Sequence, residues 1–310
     1  MARWGVMFPG QGAQYVGMGR SVYDRYQEAR ETFQEADEAL GYSLTAVIFN
    51  GPDDRIRDTE VQQPAILTAS VAIWRVLKTL RPDWEPVLGL GLSLGEYTAY
   101  VAAGSLSFAD AVRLTRIRGR AMQEAVPKGT GGMLAVLGLA DDVVGELCRR
   151  AAEVGWVEPA NYNAPGQVVI SGVNEGLNAA ETLVRQAGGR TVRLSVSAPF
   201  HSRLLESAGQ VVAEALSAIT VLRARFPVVA NVDSALVTEP GEIVPRLVRQ
   251  VFRPVQFEQG VRRTIAEGVD ALVEVGPGRS LTSLVKKIER RLTTLTVEDV
   301  EGVTRALELV

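Results

Sequence analysis

The sequence predicts an α/β protein in which a mostly parallel sheet is interrupted by a smaller βαββαβ unit. Two observations support this prediction. Short apolar runs alternate with segments of helical apolar spacing along much of the chain, and that rhythm changes near the middle. With 310 residues, of which 46% are apolar and 22% charged, the chain suits one large domain or two modest ones with a sizeable core.

The first part of the chain is predicted to alternate strands and helices. Its apolar patterns indicate a strand over 3–8, a helix over 21–40, a buried helix over 64–80, a strand over 87–92 and a small-residue helix that ends near Gly104. Ser107 and Asp110 then form a capping box that opens a helix over 108–122. This alternation is typical of a mostly parallel sheet covered by helices.

The middle of the chain follows a different order. The patterns indicate a strand over 133–139, a helix over 141–154, strands over 157–162 and 167–172, a helix over 174–187 and a strand over 190–196. This βαββαβ order is that of the ferredoxin-like unit. The chain would pass between this unit and the rest of the molecule at two segments, Lys128-Gly-Thr-Gly-Gly132 and Ser197-Ala-Pro199. We therefore place a small subdomain at 128–198 and a large one at 1–127 and 199–310.

Composition excludes several classes of function. The 33 basic and 36 acidic side chains are interspersed and give a net charge of −3, which argues against a nucleic-acid partner. One cysteine and one histidine exclude an internal disulfide and the usual multi-histidine zinc sites. No long charge-free segment indicates a membrane span, and the N-terminal apolar run is too short for a secretory signal. We expect a cytoplasmic protein without a metal centre.

Gly91-Leu-Ser-Leu-Gly95 fits the nucleophile elbow G-x-S-x-G. An apolar strand precedes Ser93 and a helix follows it, which is the context that this motif requires. Because the turn is tight, it would leave no room for a side chain at Gly91 or Gly95. The alternative is a packing turn with an idle serine.

His201 is the only histidine, so a serine–histidine mechanism must use it. It lies where the small subdomain would return to the large one, a place where ligand clefts tend to form. A lone histidine is also commonly a surface or satisfied core residue, and that interpretation stays open. If its pKa is near 6.5, acylation should fall as the pH drops through that value.

Arg118 is distinguished by its helical position. Arg113, Arg116 and Arg120 share one face of the helix over 108–122, and Arg118 points away from it among apolar residues. A buried guanidinium should meet an anion. Either an internal Asp or Glu or a carboxylate of the substrate, held bidentately, would satisfy it.

The glycine-rich loop after the first strand invites a dinucleotide-binding interpretation. It fails, because Tyr15 stands where the fingerprint needs Gly or Ala. Such a loop can instead aim a backbone N–H at an oxyanion, together with the N–H of the residue after the nucleophile, Leu94.

Several ordered motifs together resemble one family across nearly the whole chain. They are Phe8-Pro-Gly-Gln-Gly-Ala-Gln14, Ser93-Leu-Gly-Glu-Tyr97, Arg118-Gly-Arg-Ala-Met-Gln123, Asn161-Tyr-Asn-Ala-Pro-Gly-Gln-Val-Val-Ile-Ser-Gly172, Ser197-Ala-Pro-Phe-His201, Gln250 with Pro254-Val-Gln-Phe257, and Glu274-Val-Gly-Pro-Gly278. They resemble the malonyl-CoA:acyl carrier protein transacylases of fatty acid synthesis. The resemblance implies an α/β-hydrolase-like core with a parallel sheet and an inserted ferredoxin-like subdomain.

The resemblance also implies roles for individual residues. Ser93 would carry the malonyl group as an ester, and His201 would act as general base and then as acid. A main-chain carbonyl at Gln250 would orient the histidine, and the N–H groups of Gln11 and Leu94 would form the oxyanion hole. Arg118 would bind the free carboxylate of the malonyl group. The other substrate-binding positions would be Met122, Phe200, Asn161 and Asn163. No cofactor is implied, since malonyl-CoA is a substrate.

The implied partners are malonyl-CoA and an acidic acyl carrier protein, and we expect a monomer. Exposed basic residues offer a docking surface for that carrier: Arg190, Lys286, Lys287 and Arg290. The basic cluster of Lys286, Lys287, Arg290 and Arg291 is otherwise a solvated face of the last strong helix. Leu92 departs from the family, which commonly has histidine there. Phe200 should crowd a substituent on the malonyl α-carbon, which predicts malonyl over methylmalonyl.

Three other functions compete with this one. An acyltransferase that serves a polyketide synthase would share every site residue. An acyl hydrolase would release the acyl group to water, although a buried Arg118 disfavours neutral acyl chains. A non-catalytic acyl-CoA-binding protein would keep the pocket without needing Ser93 and His201 as a pair.

Overall fold

The computed structural model describes residues 2–196 and 198–309, and within them ten strands form two separate sheets. The strands are, in chain order, β1 Trp4–Phe8, β2 Gly89–Gly91, β3 Gly131–Leu137, β4 Val157–Ala164, β5 Gln167–Val173, β6 Arg190–Arg193, β7 Val228–Val229, β8 Leu236–Val237, β9 Ala271–Val275 and β10 Thr293–Val297. The larger sheet has the order β10-β9-β1-β2-β7-β8. Its neighbours are parallel except for the last pair, β7 and β8, which is antiparallel.

Helices cover the two sheets and join their strands. They are α1 Arg20–Arg25, α2 Gln27–Leu40, α3 Leu44–Asn50, α4 Asp53–Arg57, α5 Thr59–Leu80, α6 Leu94–Ala102, α7 Phe108–Glu124, α8 Asp141–Ala151, α9 Asn174–Gln186, α10 Glu206–Ser217, α11 Pro240–Gln250, α12 Phe257–Ala266, α13 Ser280–Ile288 and α14 Val300–Leu309, with a 3₁₀ turn over Arg203–Leu205. Within the described residues, no helix combines the length and apolarity needed to cross a bilayer.

The parallel arrangement brings three chain segments to one edge of the sheet. Phe8 at the end of β1 pairs with Gly91 at the end of β2, so the loop 9–12 and the turn at Ser93 emerge side by side. β7 lies parallel to β2 on its other side, and Asn231 follows it at the same edge. This carboxyl edge is where open α/β sheets bind ligands.

Two predicted helices differ most from the observed ones. The predicted helix over 21–40 is two helices, since Tyr26 is extended (φ −116°, ψ 138°) and Arg30 Nη1 donates to the carbonyls of Tyr23 and Asp24 at the end of α1. The helix predicted to start at Pro64 begins at Thr59, because the Asp58 carbonyl accepts from Val61 and Gln62.

Pro64 lies inside α5. It is tolerated there because the one hydrogen bond that it removes lies near the start of a long, buried helix. The short helices α3 and α4 were not predicted, since neither is long enough for a clear apolar period. By contrast, Ser107 caps α7 as predicted, with its Oγ 3.1 Å from the Asp110 N–H.

The smaller sheet has the order β4-β5-β3-β6 and is antiparallel throughout. Its chain order, βαββαβ, confirms the ferredoxin-like prediction, and α8 and α9 pack over its apolar core. Val255 joins the sheet to the rest of the molecule, since its N–H donates to Ala160 O and its carbonyl accepts from Tyr162 N. The boundaries at 127/128 and 198/199 stay predictions, and Ser197, in the return crossing, lies outside the described residues.

Candidate active site

Ser93 occupies a strained turn between β2 and α6. Its backbone has φ 54° and ψ −106°, a conformation that a non-glycine residue rarely adopts. A Cβ on Gly91 would lie 2.0 Å from the carbonyl carbon of Gly95, and a Cβ on Gly95 would lie 2.0 Å from the Phe8 oxygen. The turn therefore requires glycine on both sides of the serine, as the elbow motif predicts.

His201 contacts both the serine and a backbone carbonyl. Its Nε2 lies 2.7 Å from Ser93 Oγ, and its Nδ1 lies 2.8 Å from the Gln250 carbonyl oxygen. Because a carbonyl only accepts, Nδ1 carries the proton and Nε2 offers a lone pair to the serine hydroxyl. This geometry is that of a nucleophile, a base and an orienting acceptor.

The environment of His201 disfavours its charged form. Burial, and secondly the Arg118 cation, lower its pKa to about 3. The condition of a pKa near 6.5, on which a fall in acylation near that pH depended, is therefore not met. In the free enzyme the imidazole is neutral at physiological pH, which is the form that accepts a proton.

Arg118 is buried, as its helical position predicts, and it points at the serine. Its Nη2 donates to Ser93 Oγ at 3.0 Å and to Gln250 Oε1 at 2.9 Å, and its Nη1 donates to Gln63 Oε1 at 2.5 Å. Its guanidinium also stacks over the Tyr97 ring, 5.1 Å from the centroid. These direct partners are neutral, and Nε has none among the described residues. Within the described part of the chain the cation therefore has no direct ion pair with an Asp or Glu, which was one of its two expected partners, and it retains capacity for an anion.

Sequence reasoning missed three buried polar residues that support the site. Asn231 Oδ1 accepts from the Ser93 N–H at 2.7 Å, and its Nδ2 donates to Gly91 O at 2.7 Å. Gln63 and Glu96 are fully buried. A polar side chain inside an apolar helix was a usable signal for Gln63 on α5, whereas no local pattern marks Asn231.

The predicted oxyanion donors lie beside the serine. Leu94 is the first residue of α6, so its N–H has no acceptor within the helix. Gln11 lines the same cavity as Ser93. A Cβ on Gly10 would lie 2.3 Å from the Leu92 oxygen, so the loop 9–12 packs directly against the elbow.

A cavity of about 150 Å³ opens in front of Ser93 and His201. It is lined by three of the five substrate-binding positions expected from the sequence, Phe200, Asn161 and Asn163, and by the expected oxyanion position Gln11. Leu92, where the family commonly has histidine, also lines it. Met122 does not, and instead lies in the core with its Sδ 3.8 Å from Gln63 Nε2.

The proposed docking cations are exposed, and two of them already have partners. Lys286 Nζ donates to the Leu292 carbonyl at 2.6 Å, and Lys287 Nζ donates to Gln167 Oε1 at 2.7 Å. Arg190 lies on the edge strand β6, and Arg290 follows α13. The four side chains therefore place positive charge on the edge strand of the small sheet and on and just after helix α13.

Comparison with known proteins agrees with this geometry. The family model for the acyl transferase domain matches residues 6–305. The malonyl CoA-acyl carrier protein transacylase of Escherichia coli (strain K12) is 44% identical over 310 residues, which cover 100% of both chains. The crystal structure of an acyl carrier protein S-malonyltransferase from Vibrio cholerae is 40% identical, with a TM-score of 0.96 over 98% of this chain and 100% of that one.

A third relative was solved with its partner. A malonyl-transacylase in complex with a type II PKS acyl-carrier protein is 40% identical, with a TM-score of 0.96 over 99% of both chains. The chain matches these relatives over almost its whole length. The buried serine–histidine pair and its arginine agree with the activity in their names. The chain belongs to the acyl transferase domain family, among the malonyl-CoA:acyl carrier protein transacylases.

Proposed function

We propose that this chain moves a malonyl group from coenzyme A to the phosphopantetheine thiol of acyl carrier protein in fatty acid synthesis, through an ester on Ser93. The observation that carries this proposal is the position of Ser93 Oγ, 2.7 Å from His201 Nε2 and 3.0 Å from Arg118 Nη2. One group can take the hydroxyl proton, and the other can bind the free carboxylate of the acyl group.

In the first half-reaction Ser93 Oγ attacks the thioester carbonyl of malonyl-CoA, and its proton moves to His201 Nε2. The N–H groups of Leu94 and Gln11 are the proposed donors to the oxyanion. The carbon–sulfur bond then breaks, and the coenzyme A sulfur takes the proton from Nε2. The Gln250 carbonyl, 2.8 Å from Nδ1, stabilises the imidazolium in between.

The second half-reaction reverses these roles. The thiol of the carrier gives its proton to His201 Nε2, and its sulfur attacks the malonyl ester. The carbon–oxygen bond breaks, and Ser93 Oγ recovers its proton. No step calls for a metal or redox cofactor.

The malonyl carboxylate also assists the base. Arg118 lowers the pKa of His201, so protonating the imidazole next to an uncompensated guanidinium is costly. A carboxylate bound to Arg118 offsets that positive charge. The correct acyl group therefore makes His201 a stronger base when it binds.

The exposed cations support a docking surface for the carrier. We assign the acidic carrier to the surface that includes Arg190, Lys286, Lys287 and Arg290, which the complementary charges favour. The proposed setting is a cytoplasmic monomer. Residues of this surface should affect transfer to the carrier and leave acylation by malonyl-CoA unchanged.

Intact-protein mass spectrometry after brief incubation with malonyl-CoA tests the proposal. The parent protein should gain one malonyl group, Ser93→Ala should gain none, and acyl carrier protein should clear the label. Coenzyme A release without an adduct would instead support a hydrolase, and neither adduct nor turnover would support a binding protein.

A further inference from the structure

Glu96 is a carboxylate buried beside the site, and the steps above do not use it. It lies on α6, three residues after Ser93, and is fully buried. Its Oε2 accepts from Gln250 Nε2 at 2.7 Å and from the Asn231 N–H at 3.1 Å. Its Oε1 has no hydrogen-bond partner among the described residues. A buried carboxylate with one unpaired oxygen is costly unless an opposite charge stabilises it.

Gln250 connects this carboxylate to Arg118. The Nε2 end of its amide donates to Glu96 and to the Ser93 carbonyl, and its Oε1 end accepts from Arg118 at 2.9 Å. A flipped amide would set its oxygen against the carboxylate and its NH₂ against the guanidinium. The orientation of Gln250 therefore depends on an acceptor oxygen at Glu96 and a donor at Arg118.

We propose that Glu96 is the resident counter-charge of Arg118, a positioning residue that acts through Gln250 and sets how strongly Arg118 attracts the acyl carboxylate. The proposal rests on the assignment of Arg118 to that carboxylate under Proposed function. In the free enzyme Glu96 balances the guanidinium. When a malonyl group binds, two carboxylates face one cation, and a proton on Glu96 relieves their repulsion.

The charges around Glu96 identify the pH range in which this exchange occurs. Burial raises the pKa of Glu96 to about 7, against the lowering effects of Gln250, Asn231 and the Arg118 cation, and Asp233 raises it further. In the free protein the neighbouring His201 has its pKa lowered to about 3 and Tyr97 has its pKa raised to about 12, so both keep their charge states between pH 6 and 8. Burial likewise raises the pKa of Tyr100, well above its usual value.

The sign of the effect follows from linkage. A second carboxylate near Glu96 raises its pKa, so malonyl binding takes up a proton, and affinity falls as the pH rises through about 7. Acetyl-CoA lacks the carboxylate but carries the same phosphates. The ratio of the two dissociation constants therefore isolates the carboxylate.

The test measures the dissociation constants of malonyl-CoA and acetyl-CoA by calorimetry at pH 6, 7 and 8, in a Ser93→Ala background that prevents transfer. The preference for malonyl should fall by about tenfold from pH 6 to 8. Adding Glu96→Gln keeps a carbonyl oxygen for Gln250 but removes the charge. That variant should keep, at pH 8, the preference that the background has at pH 6.

Two further variants separate the possible failures. Glu274→Gln is the matched control, because Glu274 is also buried but accepts from the N–H groups of Leu281 and Thr282, and it should retain the pH dependence. Arg118→Ala should lose the malonyl preference at every pH. If Glu96→Gln keeps the pH dependence while Arg118→Ala loses the preference, the role of Glu96 is overturned and that of Arg118 stands. If Arg118→Ala keeps the preference, the assignment of Arg118 fails and the proposal fails with it.

A measurement without any change at Glu96 covers the case in which Glu96→Gln does not fold. Calorimetry in two buffers of different ionisation enthalpy counts the protons taken up at pH 7. Malonyl-CoA should bind with an uptake of about half a proton more than acetyl-CoA. Equal uptake for the two ligands overturns the proposal.

Discussion

The guanidinium of Arg118 donates a hydrogen bond to the hydroxyl oxygen of Ser93 across 3.0 Å. The same oxygen gives its proton to His201 Nε2, so the nucleophile lies between a cation and a base. An acyl carboxylate that binds Arg118 is thereby held next to the atom that must attack its thioester. Recognition of the acyl group and activation of the serine share one side chain.

Arg118→Ala should reduce malonyl transfer by at least about 30-fold, because it removes the charged partner of the acyl carboxylate in a buried site. Acetyl transfer should be spared or improved, since an acetyl group has no carboxylate to lose. Steady-state kcat/KM for both coenzyme A esters measures the difference. Equal losses for the two would mean that Arg118 is structural.

Arg118→Lys is the companion variant. Lysine keeps the charge but cannot make the forked contact with Gln63, Gln250 and Ser93 that the guanidinium makes. It should recover only part of the malonyl activity. Full recovery would show that charge alone matters at this position.

The rate of Ser93 acylation should be flat between pH 5 and 8 at saturating malonyl-CoA. The pKa of His201 is lowered to about 3 by burial and by Arg118, so the imidazole is already the neutral base throughout this range. At saturation the malonyl carboxylate offsets the Arg118 charge, so the relevant pKa of His201 lies above its value in the free protein, while burial, the larger cause, still keeps it low. The rate should decline only as the pH falls toward that pKa. Single-turnover measurements of coenzyme A release follow this step alone.

A decline centred near pH 6.5 would contradict this environment for His201. A preparation of the same protein at each pH, returned to pH 7 before assay, controls for unfolding in acid.

Local patterns were enough to predict the groups that meet at the centre of the site. Ser93 was evident from an elbow motif between a strand and a helix, and Arg118 from its position on a helical face. Glu96 and Asn231 were missed because their partners lie far along the chain. Gln250, which donates to Glu96, is 154 residues away, and Ser93, whose N–H donates to Asn231, is 138 residues away. No periodicity within one element reports such contacts.

The same distinction explains the parts of the fold that were missed. The βαββαβ order was readable because each element is long enough to show its own period. α3 and α4 have seven and five residues, less than two turns each, and their formation depends on packing. The pKa of His201 was beyond sequence reasoning because it depends on burial and on Arg118, 83 positions away.

Phe200→Ala should raise kcat/KM for methylmalonyl-CoA relative to malonyl-CoA by about tenfold. Phe200 is buried beside His201 and lines the cavity of about 150 Å³, so its ring limits the space for a substituent on the acyl α-carbon. One methyl group in such a pocket changes discrimination by about 1–3 kcal/mol. Competition between the two esters, read as the mass of the Ser93 adduct, measures the preference. Comparable transfer of both by the parent protein would refute the role of Phe200.

Gln63→Leu should lower the free energy of unfolding by about 1–3 kcal/mol and weaken malonyl binding. Gln63 is fully buried, and its Oε1 accepts from Arg118 Nη1 at 2.5 Å, so leucine leaves a buried cation with an unsatisfied donor. Gln62→Leu is the matched control on the same helix. Gln62 is also buried, but its Oε1 has no hydrogen-bond partner among the described residues, so leucine should leave stability unchanged or increase it. Denaturant unfolding of the two variants measures the difference. A larger loss of stability for Gln63→Leu means that the Gln63 amide holds Arg118, whereas equal destabilisation means that it only fills space.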